Sequence, residues 1–136
     1  MVRFCYTVFV VEKTAFFYSK GKFICPGESY TFQIPAKENY QCIKPSEIIH
    51  FDRFLIEKLL TKIPKLEIIG RLATENELIT CQKMVASFVC LSPEQRYIEL
   101  LNQNGELFNE VPQHYIASYL GVSPETLSRI KRRPLS

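Results

Sequence analysis

With 136 residues, 46% hydrophobic and 23% charged, the chain has a globular composition, too apolar for intrinsic disorder. No apolar run approaches the roughly 20 residues that cross a bilayer, and Met1-Val2-Arg3-Phe4 lacks the basic region, apolar stretch and cleavage site of a secretory signal. The length leaves one domain of ordinary size or two small ones, and the formal net charge is +3. The five cysteines (Cys5, Cys25, Cys42, Cys81 and Cys90) are odd in number, scattered, and form no CxxC pair. That pattern argues against a disulfide framework, a metal site or an iron–sulfur cluster, and for buried reduced thiols in the cytoplasm.

The first fifty residues are β-like. Val2, Phe4, Tyr6 and Val8 alternate with Arg3, Cys5 and Thr7 as on a half-buried strand. A second run, Thr14-Ala15-Phe16-Phe17-Tyr18, ends in a turn at Ser19-Lys20-Gly21-Lys22, and Pro26-Gly27-Glu28-Ser29 is another turn signal. Tyr30-Thr31-Phe32-Gln33-Ile34 alternates again before Pro35, and Tyr40-Gln41-Cys42-Ile43 and Glu47-Ile48-Ile49-His50 are two further expected strands. Short strands at this spacing predict an antiparallel roll or partial barrel.

From Phe51 the period becomes helical. Phe51, Phe54, Leu55, Lys58 and Leu59 mark one amphipathic helix that closes near Pro64. A long helix is expected from about Lys65 to Cys90, where Leu72, Ile79 and Ala86 recur every seven residues. At roughly 36 Å it is too long to be covered by so small a roll, which predicts pairing with a second copy, although Asn76 and Lys83 keep it from being a strict coiled coil. Ser92 then caps a new helix with Pro93 in its first position, and Asn102-Gln103-Asn104-Gly105 ends it.

The stretch 111–133 reads as two short helices joined by a tight turn. Pro112 suits a first helical position, Ile116, Ala117 and Leu120 form one apolar face, and Gly121 suits a left-handed helix end. Ser123 caps the second helix, Pro124 opens it and Glu125 lies near its positive end. Leu127 and Ile130 face inward, leaving Thr126, Ser128, Arg129, Lys131, Arg132 and Arg133 largely to solvent. This is the anatomy of a helix-turn-helix, whose second helix enters a DNA major groove. Residues 112–136 hold four of the seventeen Lys/Arg and one of the fourteen Asp/Glu, a net of +3, so residues 1–111 are balanced. Localised positive charge is the footprint of a phosphate-binding surface. Four cations are few, so one copy should bind weakly and two should be needed.

Catalysis has little to rest on. His50 and His114 are the only histidines, far apart in sequence, and no Ser-His-Asp, Cys-His or paired-carboxylate set assembles from spacing. The chain is therefore not expected to be an enzyme.

Two runs carry a resemblance: Ser92-Pro93-Glu94-Gln95-Arg96-Tyr97 through Leu100-Leu101, and Val111-Pro112-Gln113 followed by Ile116 to Ile130. With the β region and the long helix they resemble the cyclic-AMP-receptor/fumarate-nitrate-regulator (Crp/Fnr) superfamily of bacterial transcription factors, in the branch common in Bacteroidetes-type bacteria. The resemblance is close over the C-terminal half and loose over the β region. It implies that Glu125 and Arg129 read base edges, with Ser123, Thr126 and Ser128 in support; Arg132 and Arg133 of the basic end are further expected DNA contacts. It also implies that the sensor roll normally starts some tens of residues earlier, so the chain looks truncated at its N-terminus, and that a β-hairpin wing after the recognition helix is missing. The family's phosphate-binding segment begins with Gly-Glu, which places Gly27, Glu28 and Ser29 as ligand-binding candidates. Pro35-Ala36-Lys37, however, has no Arg for a cyclic phosphate. No cofactor is expected, and a cyclic nucleotide is disfavoured.

The resulting expectation is an α+β chain with three parts. They are a truncated, partial antiparallel β-roll of the cyclic-nucleotide-binding type over 1–63, a long dimerisation helix over 64–91, and a helix-turn-helix domain over 92–136. Its expected function is sequence-specific binding of double-stranded DNA as a cytoplasmic homodimer, with no membrane partner and room for a small-molecule effector of unassigned chemistry. The alternatives are a small-molecule-binding roll whose helices serve only assembly, and a truncated partner subunit for a longer homologue.

Overall fold

The computed structural model describes residues 1–133; the last three positions of the expected 92–136 domain lie outside them. The chain is α+β. Strand β1 (Val2–Val8) turns into β2 (Val11–Tyr18), and β3 (Glu38–Cys42) adds on the other side of β1, giving an antiparallel sheet of order β2-β1-β3. The alternation in β1 gives the sheet two unlike faces. On one, Phe4 stacks with Phe16 and Tyr40 at ring separations of 5.9 and 5.2 Å. The register sets Arg3 opposite Phe17 and Gln41, and Cys5 opposite Thr14, on the other face.

Two expected strands do not form. Tyr30–Ile34 is replaced by helix α1 (Gly27–Phe32), which closes with Gln33 at φ 56°. The alternation of Tyr30, Phe32 and Ile34 pairs with neither outer edge of the sheet, which β2 and β3 supply. Local bonding wins instead, with the Tyr30 amide donating to the Pro26 carbonyl over 2.7 Å. Glu47–His50 likewise joins no ladder and has no regular structure. The result is a three-stranded sheet rather than the five-strand arrangement the spacing predicts.

Helix α2 (Arg53–Lys62) starts at Asp52, whose carboxylate accepts from the Phe54 and Leu55 amides. Helix α3 (Leu66–Cys90) follows as one 25-residue element, close to its expected bounds. Helices α4 (Pro93–Asn104), α5 (Leu107–Glu110), α6 (Gln113–Tyr119) and α7 (Pro124–Arg132) complete the chain. At the head of α4 the Ser92 hydroxyl accepts from the Gln95 amide while the Gln95 side chain accepts from the Ser92 amide, a capping box. Helix α5 occupies what the sequence suggests is a plain connection, because Leu107 is buried and pins it.

The chain forms two compact units, 1–46 with 91–133 and 47–90, a division different from the consecutive 1–63, 64–91 and 92–136 expected. The sheet and the C-terminal helices therefore belong to one body. Its core is Tyr97, Leu100, Leu107, Val111, Ile116, Ala117, Leu120, Leu127 and Ile130, and Met1, Phe17 and Ile43 from the sheet side pack against it. In the other unit none of the residues 47–90, all of them described, is buried. Ile68, Ile69, Leu72, Leu78, Ile79, Val85 and Val89 of α3 are all exposed. The thiols also differ from expectation. Only Cys5 is buried, whereas Cys25, Cys42 and Cys90 are exposed: Cys25 lies in the connection before α1, Cys42 at the end of an edge strand and Cys90 at the end of the uncovered helix α3.

Leu127 is fully buried. Leu127→Ala should lower the unfolding free energy by about 2–5 kcal/mol, read from urea denaturation followed by circular dichroism.

Candidate nucleic-acid interface

Helices α6 and α7 are set by local chemistry and by the core between them. Pro112 is the N-cap of α6, one position before the first helical residue where the sequence places it. At the other end the Val122 amide donates back to the Ala117 carbonyl over 3.0 Å and the Gly121 amide to Ser118 over 3.1 Å. Gly121 adopts φ 70° to make that closure, which a side chain would strain. The Arg96 guanidinium, from α4, then donates to the carbonyls of Leu120 (3.1 Å) and Leu91 (2.8 Å). Sequence reasoning assigns Arg96 no role. Its charge satisfies two helix-end carbonyls and ties the turn to α4.

Ser123 caps α7 as expected, its hydroxyl oxygen accepting from the Thr126 amide, with Pro124 at the first position. Leu127 and Ile130 are buried, and Glu125, Arg129, Arg132 and Arg133 are exposed, with Thr126 and Ser128 half-buried. The structure thus brings all seven expected contact residues to one short helix and its caps. Within them runs a polar chain. The Ser123 hydroxyl lies 3.2 Å from Thr126 Oγ1, which accepts from Arg129 Nη2 over 3.1 Å. That bond restricts the Arg129 guanidinium before any ligand arrives. Hydrogen bonds from the Ser123 hydroxyl and from its own backbone amide hold Glu125 below the ordinary carboxylate range. The hydroxyl's single proton serves either Glu125 or Thr126 at a given moment.

Two basic side chains are already engaged. Arg133 Nη1 pairs with Glu94 Oε1 at 2.9 Å, both exposed, and the Lys131 ammonium sits 5.3 Å from the centre of the Phe108 ring. An exposed pair of this kind is worth about 0–1 kcal/mol, so a phosphate can displace Glu94 from Arg133.

Gly27, Glu28 and Ser29 form the first turn of α1. The Lys37 ammonium lies 3.1 Å from the Glu28 carboxylate. Ser29 Oγ donates to the Ile34 carbonyl over 2.7 Å. Both polar side chains therefore serve the loop's own geometry. His114 lies against Tyr115 with ring centres 4.0 Å apart. Among the described residues no group of three or more His, Cys, Asp or Glu side chains could hold a metal ion, and no helix is long and apolar enough to cross a membrane. No family model matches the chain, and no curated protein matches it in sequence.

Because the Glu125 carboxyl is lowered in the folded state, its stabilising contribution is present above the ordinary carboxylate pKa and lost as the pH falls through the lowered one. Ser123→Ala should raise the Glu125 midpoint toward the ordinary value in an NMR titration, and should cost about 1 kcal/mol of stability through the lost cap.

Proposed function

We propose that α6 and α7 form a helix-turn-helix and that the chain is a sequence-specific, double-stranded-DNA-binding regulator of the Crp/Fnr type. The observation that carries this reading is α7. One side is buried through Leu127 and Ile130, and the other offers Glu125, Thr126, Arg129 and Arg132 on a helix only nine residues long. Arginine presents paired donors to guanine O6 and N7, and a carboxylate accepts from cytosine N4. Arg129 is the guanine reader, steadied by Thr126, and Glu125 the cytosine reader. Arg132, and Arg133 once released from Glu94, take backbone phosphates. With so few cations, useful affinity requires two copies on a palindromic site whose half-sites lie about 34 Å apart. The exposed apolar residues of α3 support pairing through that helix, whose length of about 37 Å is of the same order.

Selection from random duplexes with the full chain should enrich a palindrome. Arg129→Ala should lose about 1–3 kcal/mol on it and relax one base position, while Arg132→Ala should weaken binding evenly across sequences and reduce the salt slope by about 1. Failure of the wild type to enrich any sequence, with binding that vanishes as salt rises, would overturn the proposal.

Ile79→Glu places a charge on the apolar stripe of α3. It should sediment as a monomer and bind a single half-site with no gain from the second; a dimer that survives the change would remove α3 from the interface.

A further inference from the structure

The sheet is bonded to the first helix of the pair as well as to the core beneath it. The Arg3 guanidinium carbon lies 3.8 Å from the centre of the Tyr115 ring, and Arg3 is 1% exposed. The Tyr115 hydroxyl is 3.4 Å from Gln41 Oε1 of β3. The Thr14 amide of β2 donates to Ser118 Oγ over 2.9 Å, and the Phe17 and Tyr119 rings are 5.4 Å apart. Tyr115, Ser118 and Tyr119 fall at i, i+3 and i+4, so they form one side of α6. Ile116, Ala117 and Leu120 form the buried side. Helix α6 is thus gripped from two directions, and Gln113 and His114 at its start stay exposed.

The two grips differ in chemistry. The buried side of α6 is apolar. The sheet contact is mixed: beside the Phe17 ring on Tyr119 it carries a polar layer through Arg3, Thr14 and Gln41, and that layer is only partly satisfied. Arg3 donates to the Glu12 carboxylate and, over 3.3 Å, to Cys5 Sγ. Arg3 Nε and Thr14 Oγ1 are buried with no partner among the described residues. A buried polar layer left half-satisfied is less stable than an apolar one and is the easier contact to open.

In a helix-turn-helix complex the first helix crosses the sugar–phosphate backbone. Tyr and Ser hydroxyls on such a helix are of the kind that bond phosphate oxygens. Here the sheet occupies the side of α6 that carries both, and it brings the Glu12 carboxylate with Arg3. We infer that the docked sheet is an autoinhibitory contact, and that full DNA affinity requires the Arg3–Tyr115 and Thr14–Ser118 contacts to release. The inference rests on α7 facing DNA. It adds that the free protein is held in its weaker-binding state by residues of β1, β2 and β3, and that anything separating the sheet from α6 strengthens binding.

The test uses sheet-side variants of the full chain, Arg3→Gln and Gln41→Ala, which leave every α6 and α7 side chain in place. Affinity for the selected duplex is measured by fluorescence anisotropy, and protection of the Thr14 amide by hydrogen exchange with and without duplex. Arg3→Gln should bind roughly tenfold more tightly than wild type, Gln41→Ala should shift the same way by less, and the wild-type Thr14 amide should lose protection in the complex. Unchanged or weaker binding by a folded Arg3→Gln, with Thr14 still protected on DNA, overturns the brake and leaves the DNA reading intact. If Arg3→Gln does not fold, Gln41→Ala and the wild-type exchange decide in the same way. If wild type and variants all fail to bind any duplex although Thr14 exchanges freely in a variant, the DNA reading falls and the brake with it.

Discussion

The packing of Leu127 and Ile130 against the cluster that holds Ile116, Ala117 and Leu120 is the constraint on which the rest of this unit depends. A nine-residue helix is too short to be stable alone in water, so α7 exists because its apolar side is buried. Once Leu127 is fixed, the period of 3.6 residues leaves Glu125, Arg129 and Arg132 outward. The crossing of the two helices is fixed by the same residues together with Gly121, whose left-handed backbone lets the chain reverse between Leu120 and Ser123. Arg96 completes the arrangement by holding the Leu120 carbonyl, an otherwise orphaned helix-end acceptor.

Charge then separates the two ends of the chain. Residues 1–111 are balanced and the excess of three positive charges lies in the last 25 positions. Not all of that excess is free. Arg133 is paired with Glu94, and Lys131 lies over Phe108. Among the described residues, Arg129 and Arg132 are the exposed cations of α7 that no carboxylate engages, and Arg129 is oriented by Thr126. On the proposed reading this balance suits discrimination better than raw affinity. Each phosphate neutralised contributes to a steeply salt-dependent binding constant, and α7 supplies few of them.

The elements legible in the sequence are those with local causes. Ser92, Ser123, Pro93, Pro124 and Gly121 each act within a few residues, and the helices they bound fall close to where their spacing puts them. The span of β1 is legible in the same way, but not its burial: Val2, Arg3, Phe4 and Cys5 are buried on both faces and Tyr6 and Val8 are exposed, the C-terminal helices covering only the first half of the strand's second face. What the sequence hides depends on partners far along the chain. Tyr30–Ile34 alternates as a strand would, but it joins neither outer edge of the sheet, and i to i+4 bonding takes Tyr30 to Phe32 into α1. The hairpin between β1 and β2 turns at Phe9-Val10 with Phe9 at φ 57°, a conformation that no Gly or Asn announces. The stacking of Arg3 on Tyr115 joins the two ends of the chain, and nothing in the spacing of either residue signals it. The residues proposed to meet DNA are placed together by local spacing alone, because one short helix and its caps carry them all; the grip of the sheet on α6 has no such local signal, because three strands share it.

Residues 47–90 leave many large apolar side chains exposed among their charged ones, and this bears on how a second copy would fit. On a helix turning about 100° per residue, Leu72, Ile79 and Ala86 fall within one narrow stripe. Leu78, Val85 and Val89 fall on another, roughly 100° around the axis. A partner helix lying along α3 covers a single stripe, so pairing through α3 alone would leave the second in water. A helix apolar on more than one side is stable only when more than one neighbour covers it. Helix α2, exposed at Phe54 and Leu55, belongs to the same unit and carries apolar surface of its own. In the proposed dimer the economical solution is therefore a bundle built from α2 and α3 of both copies. Such a bundle would hold α3 in a defined rotation, because slipping it by one stripe would expose as much apolar surface as it buried.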